Sequence, residues 1–346
     1  MLNLDHHSNQ NSTIVLLNEV LESAWKRFKY GLLQAPRRSR WLAVRAASVV
    51  APQFVLKRAS ALFIKPQRHD APAPEQRVLA TGTAFSVPST FKGRSATIAA
   101  WRFGAPDAPA IICSHGWSGR GGQFRAFVEP VCNAGYQVVL FDHLGHGQSS
   151  GRSATLVDFW LGLEAVWAHC EGQQIPVAGL LGHSLGGAAV ASSLRRALNR
   201  KPQSAATPLP KAILIAPPNS LIGFSKWFKR LTGISEKVRS AMQWRFEQKT
   251  GVKWQEFELP QSVNTIKAKA LFIHDANDEA TSQAGGIALA QAWPDARFLG
   301  TEGLGHLRIL RNKAVLQACV DFFDGNVQFA KPAVTNIAQS IPAPLY

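Results

Sequence analysis

The sequence predicts an α/β protein with a mostly parallel sheet and helices on both faces. Three observations carry that expectation. From Ala110 onward, short apolar runs alternate with longer amphipathic stretches, the rhythm of strand–helix–strand units. One run, Val177 to Leu181, leads through Gly182-His183-Ser184-Leu185-Gly186 into a helical stretch, Ala188 to Leu198. Of the 346 residues, 46% are hydrophobic, enough for a large core and too many for a disordered chain.

Taken in order, residues 1–12 are polar. Apolar residues at Ile14, Leu17, Leu21, Trp25, Phe28 and Leu32 then recur in steps of three and four, which predicts an amphipathic helix over 13–34. A basic segment, Arg37-Arg38-Ser39-Arg40, precedes a second helical stretch from Trp41 to about Ile64, interrupted at Pro52. Residues 1–65 thus form an N-terminal helical extension. Residues 66–76, rich in Pro and Ala, read as a linker.

The core domain is expected over 77–328, with 329–346 as a tail. Val78–Val87 and Ala96–Phe103 read as a hairpin or meander. Strands follow at Ala110–Ser114, Gln137–Asp142, Val177–Leu181, Lys211–Ala216, Ala270–His274 and Ala296–Leu299. Helices interleave at Gly122–Asn133, Thr155–Cys170, Ala188–Leu198, Ser282–Trp293 and Ala314–Phe323. The helix after Thr155 opens with a capping-box pattern, Thr155-x-x-Asp158. Between Pro217 and Pro260 the rhythm breaks. Trp227, Phe228, Met242, Trp244 and Trp254 sit there among Lys and Arg, which predicts a helical insertion, a cap, over about 217–260.

The formal net charge is +16, and residues 1–80 carry a net +7 of it. The basic residues are scattered and no nucleic-acid-binding motif accompanies them, so nucleic acid is not expected as a partner. The N-terminal helices are expected to pack on the catalytic domain, with weak peripheral association with anionic membrane as the alternative. Trp41–Leu56 is too short to span a bilayer and contains Arg45. No basic region followed by an apolar core marks a secretory signal. Cys113, Cys132, Cys170 and Cys319 are widely spaced without a C-x-x-C pair, which fits reduced thiols in a cytoplasmic protein, on the inner membrane face if it is peripheral. No cofactor and no metal set is indicated.

The chemistry centres on Ser184. A strand–turn–helix is the context in which a G-x-S-x-G serine stands clear of a sheet as a nucleophile. Its hydroxyl needs a base, and the base an orienting acid. Of ten histidines, His306 alone follows a late strand, within Gly303-Leu304-Gly305-His306. For the acid, Asp278 lies deeper than Asp275 in the loop after Ala270–His274 and is preferred, with Asp275 as the fallback. The Leu185 N–H at the helix start and the Trp117 N–H in His115-Gly116-Trp117 are the expected oxyanion donors. The cluster Asp142-His143-Leu144-Gly145-His146 reads as a structural turn rather than a metal site.

From about Leu62 to Phe323 these motifs, His115-Gly116-Trp117, Asp142 to Gly151, Gly182 to Gly186, His274 to Asp278 and Gly303 to His306, resemble a bacterial α/β-hydrolase of the serine-esterase or lipase type. The resemblance implies an eight-stranded sheet, a Ser184–Asp278–His306 triad and a cap after the sixth strand. It does not fix a substrate, because the superfamily hosts esterases, lipases, thioesterases, peptidases and acyltransferases. The leading expectation is hydrolysis of a small-molecule carboxylic ester or thioester through an acyl-Ser184 intermediate. The alternatives are acyl transfer on the same triad and a non-catalytic, membrane-associated binding protein of that fold.

Overall fold

A computed structural model describes residues 36–91, 93–200 and 208–326. The helix expected over 13–34 and the tail over 329–346 lie outside these residues. Two compact units result. One joins the described residues up to Ala61 with Ser225–Arg245, and the other comprises Leu62–Phe224 and the residues from Phe246 onward.

The larger unit holds an eight-stranded sheet: β1 (Thr83–Phe91), β2 (Arg94–Phe103), β3 (Ala110–Ser114), β4 (Gln137–Phe141), β5 (Val177–His183), β6 (Lys211–Ile215), β7 (Ala270–Asp275) and β8 (Ala296–Thr301), in the order β1-β2-β4-β3-β5-β6-β7-β8. β1 and β2 form an antiparallel pair, and β2 meets β4 antiparallel. Every later pairing is parallel. The expected α/β sheet is therefore present.

Strands buried on both faces read as unbroken apolar runs. Alternation still sorts their side chains. Ile112, Val139, Leu180, Leu214 and Phe272 join one core layer, while Ile111, Val138, Leu181, Ile213 and Leu271 join the other. The first layer includes α5 (Leu156–Gly172), α6 (Leu185–Arg200) and α10 (Gln283–Ala292). The second includes α4 (Arg125–Asn133) and α12 (Lys313–Asp324). The Thr155 capping box forms, its hydroxyl accepting the Asp158 N–H at 3.3 Å and Asp158 Oδ2 accepting the Thr155 N–H at 2.7 Å.

Two sequence expectations shift. Val78 and Leu79 belong to a helix, α3 (Ala73–Leu79), not to the first strand. Pro74 sits in the first turn, where a missing N–H costs nothing, and β pairing begins only at Thr83. Nor does 66–76 run free. Arg68 Nη1 donates to Gly151 O at 2.7 Å, and buried Glu75 accepts Arg120 Nε at 2.5 Å.

The smaller unit contains α1 (Arg37–Val50), nearly all of α2 (Pro52–Phe63) and parts of α7 (Leu221–Thr232) and α8 (Glu236–Thr250). Arg37, Arg38 and Arg40 are the first turn of α1 rather than a segment before it. The helices divide at Pro52, which supplies no N–H to α1. Trp41 Nε1 donates to Arg230 O at 3.0 Å, and the Ser235 N–H donates to Ser48 Oγ at 3.3 Å. These bonds join the N-terminal helices to the insertion, 189 residues away in sequence. No described helix is long and apolar enough to cross a membrane.

Candidate active site

Ser184 directly follows β5 with φ +53°, a left-handed conformation uncommon for a residue with a Cβ. The strain is held from both sides. Its N–H donates to Ile215 O on β6 at 2.9 Å, and its carbonyl accepts the Gly187 N–H at 2.8 Å as α6 begins. A Cβ on Gly182 would stand 2.6 Å from Gly186 O, and one on Gly186 would run into Ser114 O on β3. The turn is possible only with glycine at both places.

Leu185 is the first residue of α6, so its N–H belongs to the helix end that has no internal acceptor. A Cβ on Gly116 would lie 2.9 Å from Ser184 Cβ, which sets the Trp117 loop beside the serine turn. The expected oxyanion residues thus flank Ser184 from two elements.

His306 lies in α11 (Gly305–Arg308), entered through Gly303 and Gly305, both with positive φ. Its Nδ1 lies 2.7 Å from Asp278 Oδ2. The Asp278 side chain is fully buried and that of His306 is 20% exposed, so the imidazole is the accessible end of the pair. Burial alone pushes the Asp278 carboxyl up. Hydrogen bonds from His274, His306 and the Thr281 N–H outweigh it and hold the group well below the ordinary carboxylate range. An ionised Asp278 only accepts, so Nδ1 carries the imidazole proton and Nε2 is left as a base.

Asp275 performs a different task. It accepts the N–H groups of Asn277 at 3.0 Å, Leu304 at 3.0 Å and Gly305 at 2.9 Å, and the Thr301 hydroxyl at 2.7 Å. Burial raises its pKa, and these donors bring it below the usual value. Asp275 fastens the loop, and Asp278 faces the imidazole.

Three contributors were not singled out from sequence. His183, the variable residue before Ser184, meets His306 O with its Nε2 at 2.9 Å. Burial pushes His183 down to about 3, so this neutral ring donates to the carbonyl and ties the base to the serine turn. Thr281 donates its hydroxyl to Asp278 Oδ2 at 3.0 Å, and His274 Nε2 lies 3.5 Å from the same oxygen. The central position of His183 in the G-x-S-x-G motif was the only signal available for it. His274 was legible only as the first residue of the His274 to Asp278 motif, and Thr281 had no signal.

The Asp142–His146 turn braces the loop that carries Trp117. His115 Nε2 accepts the His143 N–H at 2.9 Å, and His146 Nε2 accepts the Ser118 N–H at 3.1 Å. Asp142 accepts the Gly121 N–H at 2.8 Å and the Gln148 N–H at 2.7 Å. Burial pushes His115 down to about 4, His146 to about 3 and His143 well below the imidazole range. Neutral rings can accept and donate at once, as this network requires. Among the described residues no group of three or more His, Cys, Asp or Glu is arranged to hold a metal.

A family model described as serine aminopeptidase, S33 matches residues 105–257, the stretch from before β3 through the insertion. The chain is 35% identical over 89 residues to human monoglyceride lipase, covering 25% of this chain and 29% of the lipase. It is 30% identical over 110 residues to the magnesium-chelatase 30 kDa subunit of Rhodobacter capsulatus, covering 32% of this chain and 35% of that protein. The chain thus spans about a third of the length of these curated relatives. Among solved structures, an esterase of Pyrococcus furiosus superposes with a TM-score of 0.55 at 17% identity, covering 75% of this chain and 98% of that one. At that identity the likeness is one of fold.

Proposed function

We propose that this chain is a serine hydrolase of the α/β-hydrolase superfamily that cleaves a carboxylic ester or thioester through an acyl-Ser184 intermediate, a reading supported by the matched family model and the likeness in fold. The observation that carries the reading is the 2.7 Å contact between His306 Nδ1 and the buried carboxylate of Asp278. It leaves an oriented, partly exposed imidazole whose backbone is tied to His183, the residue before the strained serine, and this supports the reading of Ser184 as an activated nucleophile.

The steps follow from these groups. Ser184 Oγ attacks the acyl carbon while His306 Nε2 takes its proton. Asp278 keeps the imidazole in the required tautomer and stabilises the imidazolium that forms. The N–H groups of Leu185 and Trp117 receive the negative charge on the former carbonyl oxygen. Collapse expels the alcohol or thiol, which takes the proton from His306. A water, deprotonated by the same nitrogen, then attacks the acyl-serine and releases the acid. The names of the relatives, a lipase and an esterase among them, support an acyl ester as substrate.

A fluorophosphonate probe tests the reading. Labelling should map to Ser184 and disappear in Ser184→Ala, in step with turnover of p-nitrophenyl esters. A parent protein that is neither labelled nor active on esters or thioesters of any chain length would overturn it.

A further inference from the structure

The basic charge of this protein is concentrated in one place. The described residues of the smaller unit, 36–61 and 225–245, contain twelve Lys or Arg and one acid, Glu236, a net +11 against +16 for the whole chain. That single acid is already engaged, accepting Lys229 Nζ at 2.7 Å and Arg239 Nε at 2.5 Å. Among the described residues of this unit there is no second acidic side chain.

The placement of the α1 arginines does not serve that helix. Arg37, Arg38 and Arg40 occupy the first turn of α1, which holds no acid, and there the helix dipole disfavours positive charge. Arg38, Trp41, Leu42, Arg45 and Val49 recur in steps of three and four along α1, and each is exposed. Leu42 is 61% and Val49 76% accessible, where an ordinary folded surface would hide an aliphatic stripe. Trp244 on α8, 61% accessible, stands next to exposed Arg245. Cations interleaved with tryptophan and aliphatic side chains on an exposed helix are suited to a boundary that is anionic outside and apolar beneath. A nucleic acid would use the charge and leave Leu42 and Val49 without a counterpart.

We propose that this helical unit, built jointly by the N-terminal helices and the insertion, docks on the headgroup region of an anionic phospholipid membrane. Arg38, Arg45, Lys57 and Lys237 would meet lipid phosphates, while Leu42, Val49 and Trp244 enter the upper acyl region. The inference stands on charge and exposure and does not depend on hydrolysis.

The test uses the full chain carrying Ser184→Ala, so that lipid is not consumed and the outcome is independent of the esterase reading. Co-sedimentation is measured with phosphatidylcholine vesicles containing about 30% phosphatidylglycerol, in about 0.05 M and about 0.5 M NaCl. Affinity should fall at least roughly tenfold at the higher salt, and by a similar factor when Arg38, Arg45, Lys57 and Lys237 are replaced by Gln. The pair Leu42→Ser and Val49→Ser should also weaken binding, and that loss should persist at high salt. Equal binding to pure phosphatidylcholine, binding insensitive to salt, or tighter binding to duplex DNA than to the vesicles would each overturn the proposal.

Discussion

The carboxylate of Asp275 accepts the Gly305 N–H at 2.9 Å, one residue before the imidazole that Asp278 contacts at 2.7 Å. Two aspartates three residues apart therefore divide one job: one fixes the backbone beside His306, the other meets its ring. Asp278→Asn should lower turnover by about 10⁴-fold through the wrong imidazole tautomer, and should cost some stability as well, because the buried carboxylate accepts the Ala280 and Thr281 N–H groups. Asp275→Asn should lose less turnover but destabilise by about 1–3 kcal/mol, because an amide NH₂ would face N–H donors. Ester kinetics beside thermal melts separate the two, and a reversed ranking would transfer the orienting role to Asp275.

Ser184→Ala should remove turnover by a factor on the order of 10⁶ if the three groups act as a unit. Its melting temperature should stay near that of the parent, because the turn is held by backbone bonds to Ile215 and Gly187 that alanine keeps. Retained p-nitrophenyl ester hydrolysis would show that another nucleophile is at work.

His183→Phe keeps an aromatic ring, somewhat larger than the imidazole, and removes the donor to His306 O. Losing one hydrogen bond of about 1 kcal/mol that positions the base should lower kcat roughly fivefold with KM nearly constant. A rise in KM alone would instead make His183 part of the substrate site.

The buried histidines predict an acid limit to stability. His115 is pushed down to about 4, and His146 and His183 to about 3, so each stays neutral in the folded chain where the unfolded chain is protonated. The unfolded state binds more protons below its imidazole pKa of about 6.5, so stability must fall as pH drops from there toward 4. Each such histidine contributes a slope of about 1.4 kcal/mol per pH unit in that window. Circular dichroism against pH should show cooperative acid unfolding, displaced to lower pH in His146→Gln. A flat profile down to pH 4 would mean these rings titrate normally.

Gly186→Ala should prevent the serine turn from forming, since the added carbon would run into Ser114 O on β3. We expect little soluble protein, or a loss of about 3 kcal/mol or more, well beyond the helix-propensity gain of alanine over glycine. A melting temperature equal to that of the parent would show that β3 and α6 can separate there.

Local pattern alone determined much of this protein. Alternating apolar runs located every strand of the parallel sheet, because a strand buried on two faces must be apolar throughout. Gly182-His183-Ser184-Leu185-Gly186 located the strained serine turn, because only glycine fits where backbone passes so close. Even the capping box at Thr155 was legible, since its partners are three residues apart. What tertiary structure decided was every pairing across distance. Asp278 meets His306 across 28 residues and Trp41 meets Arg230 across 189. Neither Asp275 nor Asp278 bears a local mark that separates a fastener of backbone from a partner of imidazole. The N-terminal helices, amphipathic by period, are equally compatible with several partners until packing selects one. Periodicity reports which face of an element must be covered; which distant residue covers it follows from how the whole chain closes.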